Sequence, residues 1–463
     1  MHRRDFLKQG AAAISTSVAG GVTLQPVAAR TGIGAPISPG GKVSFKQSSF
    51  SPNPAGWTVW SDRAETKPRT FVDPLISRGG AGSLAISGDG NIGEYGGWQR
   101  AIPGVSPGTW YRFVAYYRAT GLTSENWQII PRLDWLTAEG DRAGSYEHVD
   151  YASKSERQGA WTKVTVEVEA PPRSAKAVLE LYLAHAPLGI VWWDDITFEE
   201  IPPPGPRNVS IASINLKPEN SSSPEESVSQ FLETADRVMP PSTDLILFPE
   251  EISLVGTTKS AADVCEPIPG PTMERMSQLA RRKHAYVAFG LNERDGAVYN
   301  SAVLLDRAGN LIGKYRKVHL PQGEIEQMVP GNAYPVFRTD FGTVGMMICY
   351  DVFFADPARA LALQGAEIIL MPIWGGPELL GKARALENQV FLVASGYDYP
   401  TCILDREGKT LAEAPRRGTA AVATIDLNKN YLYVGLWNWR NRRPREYHPE
   451  VVTHFRRPYE VNP

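Results

Sequence analysis

Two kinds of hydrophobic patterning divide the chain. Between residues 40 and 200, apolar and polar residues alternate with period two in segments such as TWYRFVAYYRA (109–119) and WTKVTVEVEA (161–170), and clusters of Gly, Pro and Ser separate these segments. Alternation predicts half-buried strands, and many short strands with intervening turns are typical of a β-sandwich. Residues 40–200 are therefore predicted to form an all-β sandwich module.

Beyond residue 207 the pattern changes. Apolar runs without alternation, such as LILF (245–248) and EIILMP (367–372), predict strands that are covered on both faces, and helical patterns lie between them. One of these patterns predicts a helix with Ser223 as N-cap and Pro224 at its first position. This indicates an α/β domain over residues 207–450, followed by a C-terminal tail, 451–463.

Two segments are not part of either domain. The stretch IPPPGPRN (201–208) predicts a stiff linker, assigned to residues 201–206, because consecutive prolines cannot form a helix or a central strand. At the N-terminus, RRDFLK (3–8), a weakly apolar run and small residues before position 30 resemble a twin-arginine signal peptide. We expect residues 1–29 to be removed and the mature protein to be periplasmic or secreted; the alternative is a chance basic start.

Composition narrows the function classes. The 463 residues carry a formal net charge of −2, and no long basic run follows the start, which argues against nucleic acid and, once the signal is removed, against membrane as partners. The three cysteines, Cys265, Cys349 and Cys402, cannot form a disulfide framework. They also lack metal-site spacing, so we predict no zinc site, and we expect no cofactor.

Three reactive residues follow predicted strands. Glu250 ends DLILFPE, Lys317 follows LIGKYR, and Cys349 follows VGMMI. In open α/β folds, ligand chemistry collects at the carboxyl ends of strands, so these side chains are expected to meet. A helix with Asp356 as N-cap and Pro357 at its first position is predicted just beyond the cysteine.

A carboxylate, an ammonium and a thiol together suit acyl transfer from an amide. The thiol of Cys349 is the predicted nucleophile, and Glu250 is predicted to take its proton and later to activate water. Lys317 and the backbone N–H of Tyr350 are the predicted donors to the oxyanion. Taken singly, each side chain has an ordinary explanation: a buried inert thiol, a surface acid and a solvated lysine.

The motifs FPE (248–250), YRKVHLP (315–321) and GMMICYD (345–351), in that order, resemble the nitrilase superfamily of carbon–nitrogen hydrolases. The resemblance covers nearly all of residues 207–450 and extends to four further segments: PARALALQGAEIILMP (357–372), ARALENQVFLVAS (383–395), DREGKTLAEA (405–414) and NRRPREY (441–447).

The resemblance implies a four-layer αββα sandwich and a catalytic triad of Glu250, Lys317 and Cys349. It also implies an assisting glutamate, for which Glu324, six residues before Pro330, fits best; Glu326 remains an alternative. Members are commonly dimer-based homo-oligomers, so we expect a homo-oligomer here. Tyr350 and Trp374 are predicted to line the substrate pocket.

The upstream module resembles galactose-binding-like jelly rolls and carbohydrate-binding modules, through GIVWWDDITFEEI (189–201). A jelly-roll-type sandwich that binds carbohydrate is therefore one expectation. Five of its tryptophans are either a sugar-stacking platform or core residues. They are Trp57, Trp60, Trp98, Trp127 and Trp135.

Our functional prediction is an exported thiol amidohydrolase that acts on a small-molecule amide. Within the family, the residues CYD (349–351) resemble the amidase and carbamoyl-hydrolysing branches, so an N-carbamoyl hydrolase or a nitrilase is the alternative. An acyltransferase with the same thioester is a further rival. A different class altogether would be a carbohydrate- or wall-binding protein with an inactive hydrolase scaffold.

Overall fold

The structure is a computed structural model that describes residues 42–143, 149–152 and 154–429. The predicted signal peptide (1–29), the motif at 441–447 and the tail (451–463) lie outside the described residues.

Residues 42–201 form two antiparallel sheets. One sheet has the strand order β3-β4-β12-β6-β10-β9, with β1 also paired to β12, and the other has the order β2-β5-β11-β7-β8. The elements are β1 (Ser44–Gln47), β2 (Thr58–Trp60), β3 (Arg69–Asp73), β4 (Ser83–Ser87), β5 (Tyr95–Pro103), β6 (Trp110–Thr120), α1 (Glu125–Gln128), β7 (Ile129–Leu136), β8 (Asp150–Tyr151), β9 (Lys154–Gln158), β10 (Trp161–Glu169), β11 (Lys176–Ala184) and β12 (Ile190–Ile201).

The apolar faces of these two sheets share one core, and three of the tryptophans considered above belong to it. Trp57, Trp98 and Trp135 are at most 7% exposed. Trp60 instead stacks on Tyr182, and Trp127 lies against His185. The five indoles therefore do not form one stacking platform, because three of them are buried in the core.

The chain between residues 202 and 207 has no regular secondary structure, in keeping with its prolines. Two side-chain contacts hold this linker to the α/β part that follows it. Asn428 Nδ2 donates to the carbonyl of Gly205 at 2.7 Å, and the Arg207 guanidinium pairs with Glu367.

Residues 208–426 form two six-stranded mixed sheets. Their strand orders are β17-β16-β15-β14-β13-β24 and β18-β19-β20-β21-β22-β23, and the central strands of each are parallel. The strands are β13 (Asn208–Asn215), β14 (Leu245–Leu247), β15 (Tyr286–Asp295), β16 (Ala297–Leu305), β17 (Leu311–Arg316), β18 (Val336–Arg338), β19 (Thr343–Met346), β20 (Ile368–Gly375), β21 (Phe391–Asp398), β22 (Cys402–Leu404), β23 (Thr410–Glu413) and β24 (Thr419–Asp426).

Helices flank these sheets. They are α2 (Pro224–Val238), α3 (Ala261–Val264), α4 (Pro271–Lys283), α5 (Gln322–Ile325), α6 (Asp356–Leu363) and α7 (Glu378–Asn388). Helices α2 and α4 share a core with the strands of the first sheet, and α6 and α7 with those of the second. The sheets themselves meet face to face: Ser213 Oγ donates to Ala394 O at 2.7 Å, and Ser395 Oγ to Ile214 O at 2.6 Å.

The two helix starts predicted from sequence have different outcomes. Ser223 caps α2 as predicted, because its Oγ accepts from the Glu226 N–H at 3.2 Å. The prediction of Asp356 as an N-cap is wrong. The helix begins at Asp356, so Ala355 is the cap, although its backbone angles are already helical, and Pro357 is the second helical residue. The carboxylate then lies in the first turn, where the helix dipole favours it.

Candidate active site

The three predicted reactive residues all lie just past strand ends. Glu250 comes three residues after β14, Lys317 directly follows β17, and Cys349 opens a 3₁₀ turn, Cys349–Phe353, after β19. Cys349 has a φ of 44°, in the left-handed region that side chains other than glycine rarely occupy. A sharp turn therefore directs the thiol away from the strand.

Lys317 is the centre of the charge arrangement. Its side chain is fully buried, and its Nζ donates to Glu250 Oε1 at 2.9 Å and to Glu324 Oε1 at 2.6 Å. Burial by itself lowers the pKa of this ammonium, but the attraction of Glu250 and the other acidic groups outweighs it and raises the pKa. Lys317 is therefore a charged, immobile cation between two carboxyl groups.

Cys349 belongs to the same cluster. Its Sγ lies 3.8 Å from the carbonyl oxygen of Gly375, and Glu250 and Lys317 are the charged groups that act on it. Burial and then the Glu250 carboxylate raise the pKa of the thiol to about 12, although Lys317 opposes the change. At neutral pH the sulfur therefore keeps its proton until a base removes it.

Glu250 has one oxygen free for that purpose. Oε1 accepts from Lys317 and from Asn300 Nδ2, whereas Oε2 is buried without a hydrogen-bond partner among the described residues. The backbone carbonyl of Glu250 is also held, since Tyr397 Oη donates to it at 2.6 Å. A fixed carboxylate with one unused oxygen is suited to proton transfer.

Comparison with known proteins identifies the family of this chain. The family described as carbon-nitrogen hydrolase matches residues 210–433. An omega-amidase from Xenopus tropicalis is 32% identical over 214 residues, which are 40% of this chain and 76% of that protein. The chain belongs to the carbon–nitrogen hydrolase family. It is a hydrolase that acts on carbon–nitrogen bonds other than peptide bonds.

Other proteins are similar to part of this hydrolase. A nitrilase from Pyrococcus abyssi is 32% identical over 51% of this chain and 93% of its own length. A probable nitrilase from Schizosaccharomyces pombe is 38% identical over 34% of this chain, and the match spans 61% of that protein. A crystal structure of Saccharomyces cerevisiae Nit3 aligns over 47% of this chain and 90% of its own, with 26% identity and a TM-score of 0.44.

Glu324, Glu326 and Trp374 were also predicted at or near this site, and their contacts differ. Glu324 bonds to Lys317, whereas Glu326 accepts from Gln322 Nε2 on the exposed side of α5. Trp374 lies at the end of β20, and its ring packs edge-on against Tyr397. The backbone of Trp374 also hydrogen-bonds to the Cys349 thiol, which opposes the rise in the pKa of that thiol.

Tyr350 directly follows the cysteine. Its half-buried ring packs against Phe353 and Phe354, with ring centroids 5.1 and 5.5 Å apart. The described contacts therefore tie this ring to the turn itself.

Sequence reasoning missed two supporting residues. Asn300, on β16, donates to Glu250 at 2.8 Å and to Glu324 at 3.3 Å, and so fixes both glutamates. A polar side chain within the apolar strand VYNSAVLLD was the available signal.

Asp351 is the second missed residue, and it holds the turn. One of its oxygens accepts from the Ile348 N–H at 2.9 Å and from Tyr315 Oη at 2.7 Å. The other accepts from the His319 N–H at 3.0 Å, so His319 stabilises this loop. A carboxylate with this many donors fixes the position of the neighbouring cysteine.

Three further findings concern metal ligands, the other cysteines and membrane spans. No group of three or more His, Cys, Asp or Glu side chains within the described ranges could hold a metal ion. Cys265 and Cys402 are buried free thiols. None of the described helices has the length and apolar composition needed to cross a membrane.

A separate cleft of about 650 Å³ lies on the sandwich module. The cleft lies on the outer face of the larger antiparallel sheet. There the Arg78 guanidinium lies 3.7 Å from the centre of the Tyr116 ring and forms an ion pair with Asp195. Hydroxyl and charged side chains, Thr165 and Lys163 among them, complete its lining.

Proposed function

We propose that this chain is an exported thiol amidohydrolase that cleaves an amide through a thioester on Cys349. One observation carries the proposal. A fully buried ammonium, that of Lys317, bonds to two carboxyl groups beside a cysteine held in a left-handed turn. Burying these charges is costly unless they are fully paired, and Glu250 Oε2 has no partner among the described residues. Such an incompletely paired cluster is typical of a functional site.

In the first half-reaction, Glu250 Oε2 takes the proton from the Cys349 thiol as the sulfur bonds to the carbonyl carbon. The carbonyl π electrons move onto oxygen, and Lys317 and the Tyr350 N–H stabilise the resulting oxyanion. The intermediate then collapses and the C–N bond breaks. Nitrogen receives the proton from Glu250 and leaves as ammonia or an amine, and the acyl group remains as a thioester.

In the second half-reaction, a water molecule attacks the thioester. Glu250 takes one proton from that water, the C–S bond breaks, and the proton returns to the sulfur of Cys349. The product is a carboxylic acid. Because the thiol has a pKa of about 12, removing its proton together with sulfur attack avoids forming a free thiolate in this buried site.

We propose Glu324, rather than Glu326, as the assisting glutamate. Its carboxyl accepts from Lys317 and from Asn300, and it therefore fixes the ammonium together with Glu250. Glu326 makes its described contact with Gln322 instead. Because Glu324 shares the charge of Lys317, it also limits how strongly that charge holds Glu250.

The experiment that tests the mechanism is trapping of the acyl-enzyme. Incubation with small amides, followed by intact mass measurement and peptide mapping, is expected to show an acyl adduct on Cys349. Cys349→Ala should form no adduct and release no ammonia. Cys402→Ala, which removes a buried thiol elsewhere, is the matched control. Ammonia release by Cys349→Ala would contradict the mechanism.

For the substrate we propose an amide before an N-carbamoyl compound or a nitrile. The support is the sequence CYD (349–351) together with the omega-amidases among the relatives. A panel of the three substrate classes with ammonia detection separates them, because only a carbamoyl substrate also yields carbon dioxide. Added amine acceptors reveal an acyltransferase if an amide product replaces the acid.

We also propose that the sandwich module binds carbohydrate in its cleft. The lining of hydroxyl and charged side chains supports this, since such groups hydrogen-bond to sugar hydroxyls. Co-sedimentation with insoluble polysaccharides is expected to retain the full chain and to lose the Arg112→Ala/Lys163→Ala variant. Arg69→Ala, outside the cleft lining, is the control. Equal retention of all three proteins would refute the cleft as the site.

Three further proposals concern the whole molecule. Export by the twin-arginine route predicts that the Arg3→Lys/Arg4→Lys variant stays inside the cell, which cell fractionation would show.

A dimer-based assembly predicts a molar mass, measured by light scattering, of at least twice the 50.8 kDa of the full chain, less the signal segment from each subunit. The packing of helices and sheets supports a four-layer αββα sandwich preceded by a jelly-roll module.

A further inference from the structure

A second buried acid directly follows the proposed base, and the mechanism above does not use it. Glu251 is 7% exposed, and its φ of 49° is again in the left-handed region. The backbone here lies tightly against β15: a Cβ on Gly290 would come within 2.7 Å of Glu250 Cα and 2.9 Å of Glu251 N. The chain is thereby fixed in the conformation that keeps this side chain inside.

The partner of Glu251 is Asn292, on β15. Asn292 is fully buried, and its Nδ2 donates to Glu251 Oε1 at 2.6 Å. Its Oδ1 is buried and has no donor among the described residues. An ionised carboxylate only accepts hydrogen bonds and cannot satisfy that oxygen, whereas a neutral carboxylic acid carries one O–H donor. A neutral Glu251 can therefore pair with both atoms of the Asn292 amide.

The charges around Glu251 favour the same state. Lys317 is the cation that acts on it, and that ammonium already bonds to Glu250 and Glu324. Burial and then the Glu250 carboxylate raise the pKa of Glu251 to about 8, although Asn292 and Lys317 oppose the change. A third ionised carboxyl group in this cluster would have no counter-charge.

The other titratable groups near this pair carry no compensating charge. Burial and then Glu250 raise the pKa of Tyr397, on β21, so its phenol stays neutral. Glu293, next to Asn292 on β15, is neutralised by Lys314 and Arg316. Glu266, whose backbone pairs with β15, uses its carboxyl to bond Thr272.

We propose that Glu251 is a positioning residue, held as a neutral acid by Asn292, and that loss of its proton switches the enzyme off at alkaline pH. This inference rests on the proposed function. An ionised Glu251 competes for Lys317 and opposes the negative charge that develops on the oxyanion. Neutral Glu251 leaves the charge of Lys317 to Glu250, Glu324 and the reacting carbonyl.

The test compares pH profiles of kcat/KM for the parent enzyme and Glu251→Gln. Glutamine is neutral at every pH, and its amide can make both hydrogen bonds to Asn292. The parent should lose activity by about tenfold per pH unit above pH 8, and Glu251→Gln should lack this decline. Glu274→Gln, a change at a surface acid with a 63% exposed side chain, should keep the parent profile.

A second measurement does not depend on activity. Folding raises the pKa of Glu251 from 4.5 to about 8, so the unfolded chain ionises first as pH rises. The stability contributed by the neutral acid is complete below pH 4.5 and is lost as pH rises toward 8. Relative to Glu251→Gln, the parent should therefore lose stability over this range in denaturant titrations. An infrared carbonyl band of a neutral acid should also disappear in the variant.

The outcomes separate this inference from the proposed mechanism. An unchanged alkaline decline in Glu251→Gln, with acyl adduct still forming on Cys349, would overturn the role of Glu251 alone. Absence of the adduct in the parent would instead overturn the proposed function. If the free energies of unfolding of parent and variant change equally between pH 4.5 and 8, the proposal that folded Glu251 is neutral is also wrong.

Discussion

Replacing Lys317 with methionine tests the central feature of the site. Methionine keeps the length and apolar stem of the side chain but removes the ammonium. In the parent, that ammonium bonds to Glu250 at 2.9 Å and to Glu324 at 2.6 Å, and the lysine side chain is fully buried. The variant would leave two carboxyl groups in a buried site without a cation.

The expected cost follows from that burial. Removing one partner of a buried ion pair typically destabilises a protein by about 3–5 kcal/mol. This corresponds to a change in the unfolding equilibrium of roughly one hundred to several thousand times. Burial raises the pKa of Glu324, so this group can relieve part of the cost by taking up a proton once the ammonium is gone. The deficit should therefore be largest at neutral pH and smallest under acidic conditions.

The assay is denaturant unfolding, followed by circular dichroism, of parent and variant at neutral and mildly acidic pH, together with amide hydrolysis. Lys314→Met is the matched control on β17. Lys314 pairs with Glu293, but its side chain is 32% exposed and Arg316 remains to compensate Glu293. This control should lose less than about 1 kcal/mol. A Lys317→Met protein as stable as the control, with no dependence on pH, would refute the reasoning.

Three further outcomes follow from the site. Asn300→Ala removes a buried hydrogen bond to Glu250, worth about 1.5–3 kcal/mol, so kcat/KM should fall by about tenfold to a hundredfold; unaltered kinetics would contradict this. Gly290→Ala places a methyl group 2.7 Å from Glu250 Cα, so both kcat and the melting temperature should fall. Alkylation of Cys349 by a non-amide reagent should accelerate about tenfold per pH unit toward pH 12, and a plateau near neutral pH would be inconsistent with that pKa.

Local sequence patterns predicted much of the secondary structure. The cap at Ser223, the alternating strands before the prolines and the unbroken apolar strands after them all appear in the structure. Such features depend on residues within a few positions of each other, which sequence displays directly. The error at Asp356 was of one residue, at a helix end, where Ala355 had already entered helical conformation.

The sequence alone could thus name Glu250, Lys317 and Cys349 as residues that follow strands, and it favoured Glu324 but left Glu326 as an alternative. Tertiary structure separated these two, because only Glu324 reaches Lys317.

Only the tertiary structure revealed the amides that hydrogen-bond to the two acids: Asn300 donates to Glu250, and Asn292 donates to Glu251. The bond from Lys317 to Glu250 joins residues 67 positions apart. Contacts at that separation are set by strand register and by the packing of elements, and no local pattern records them.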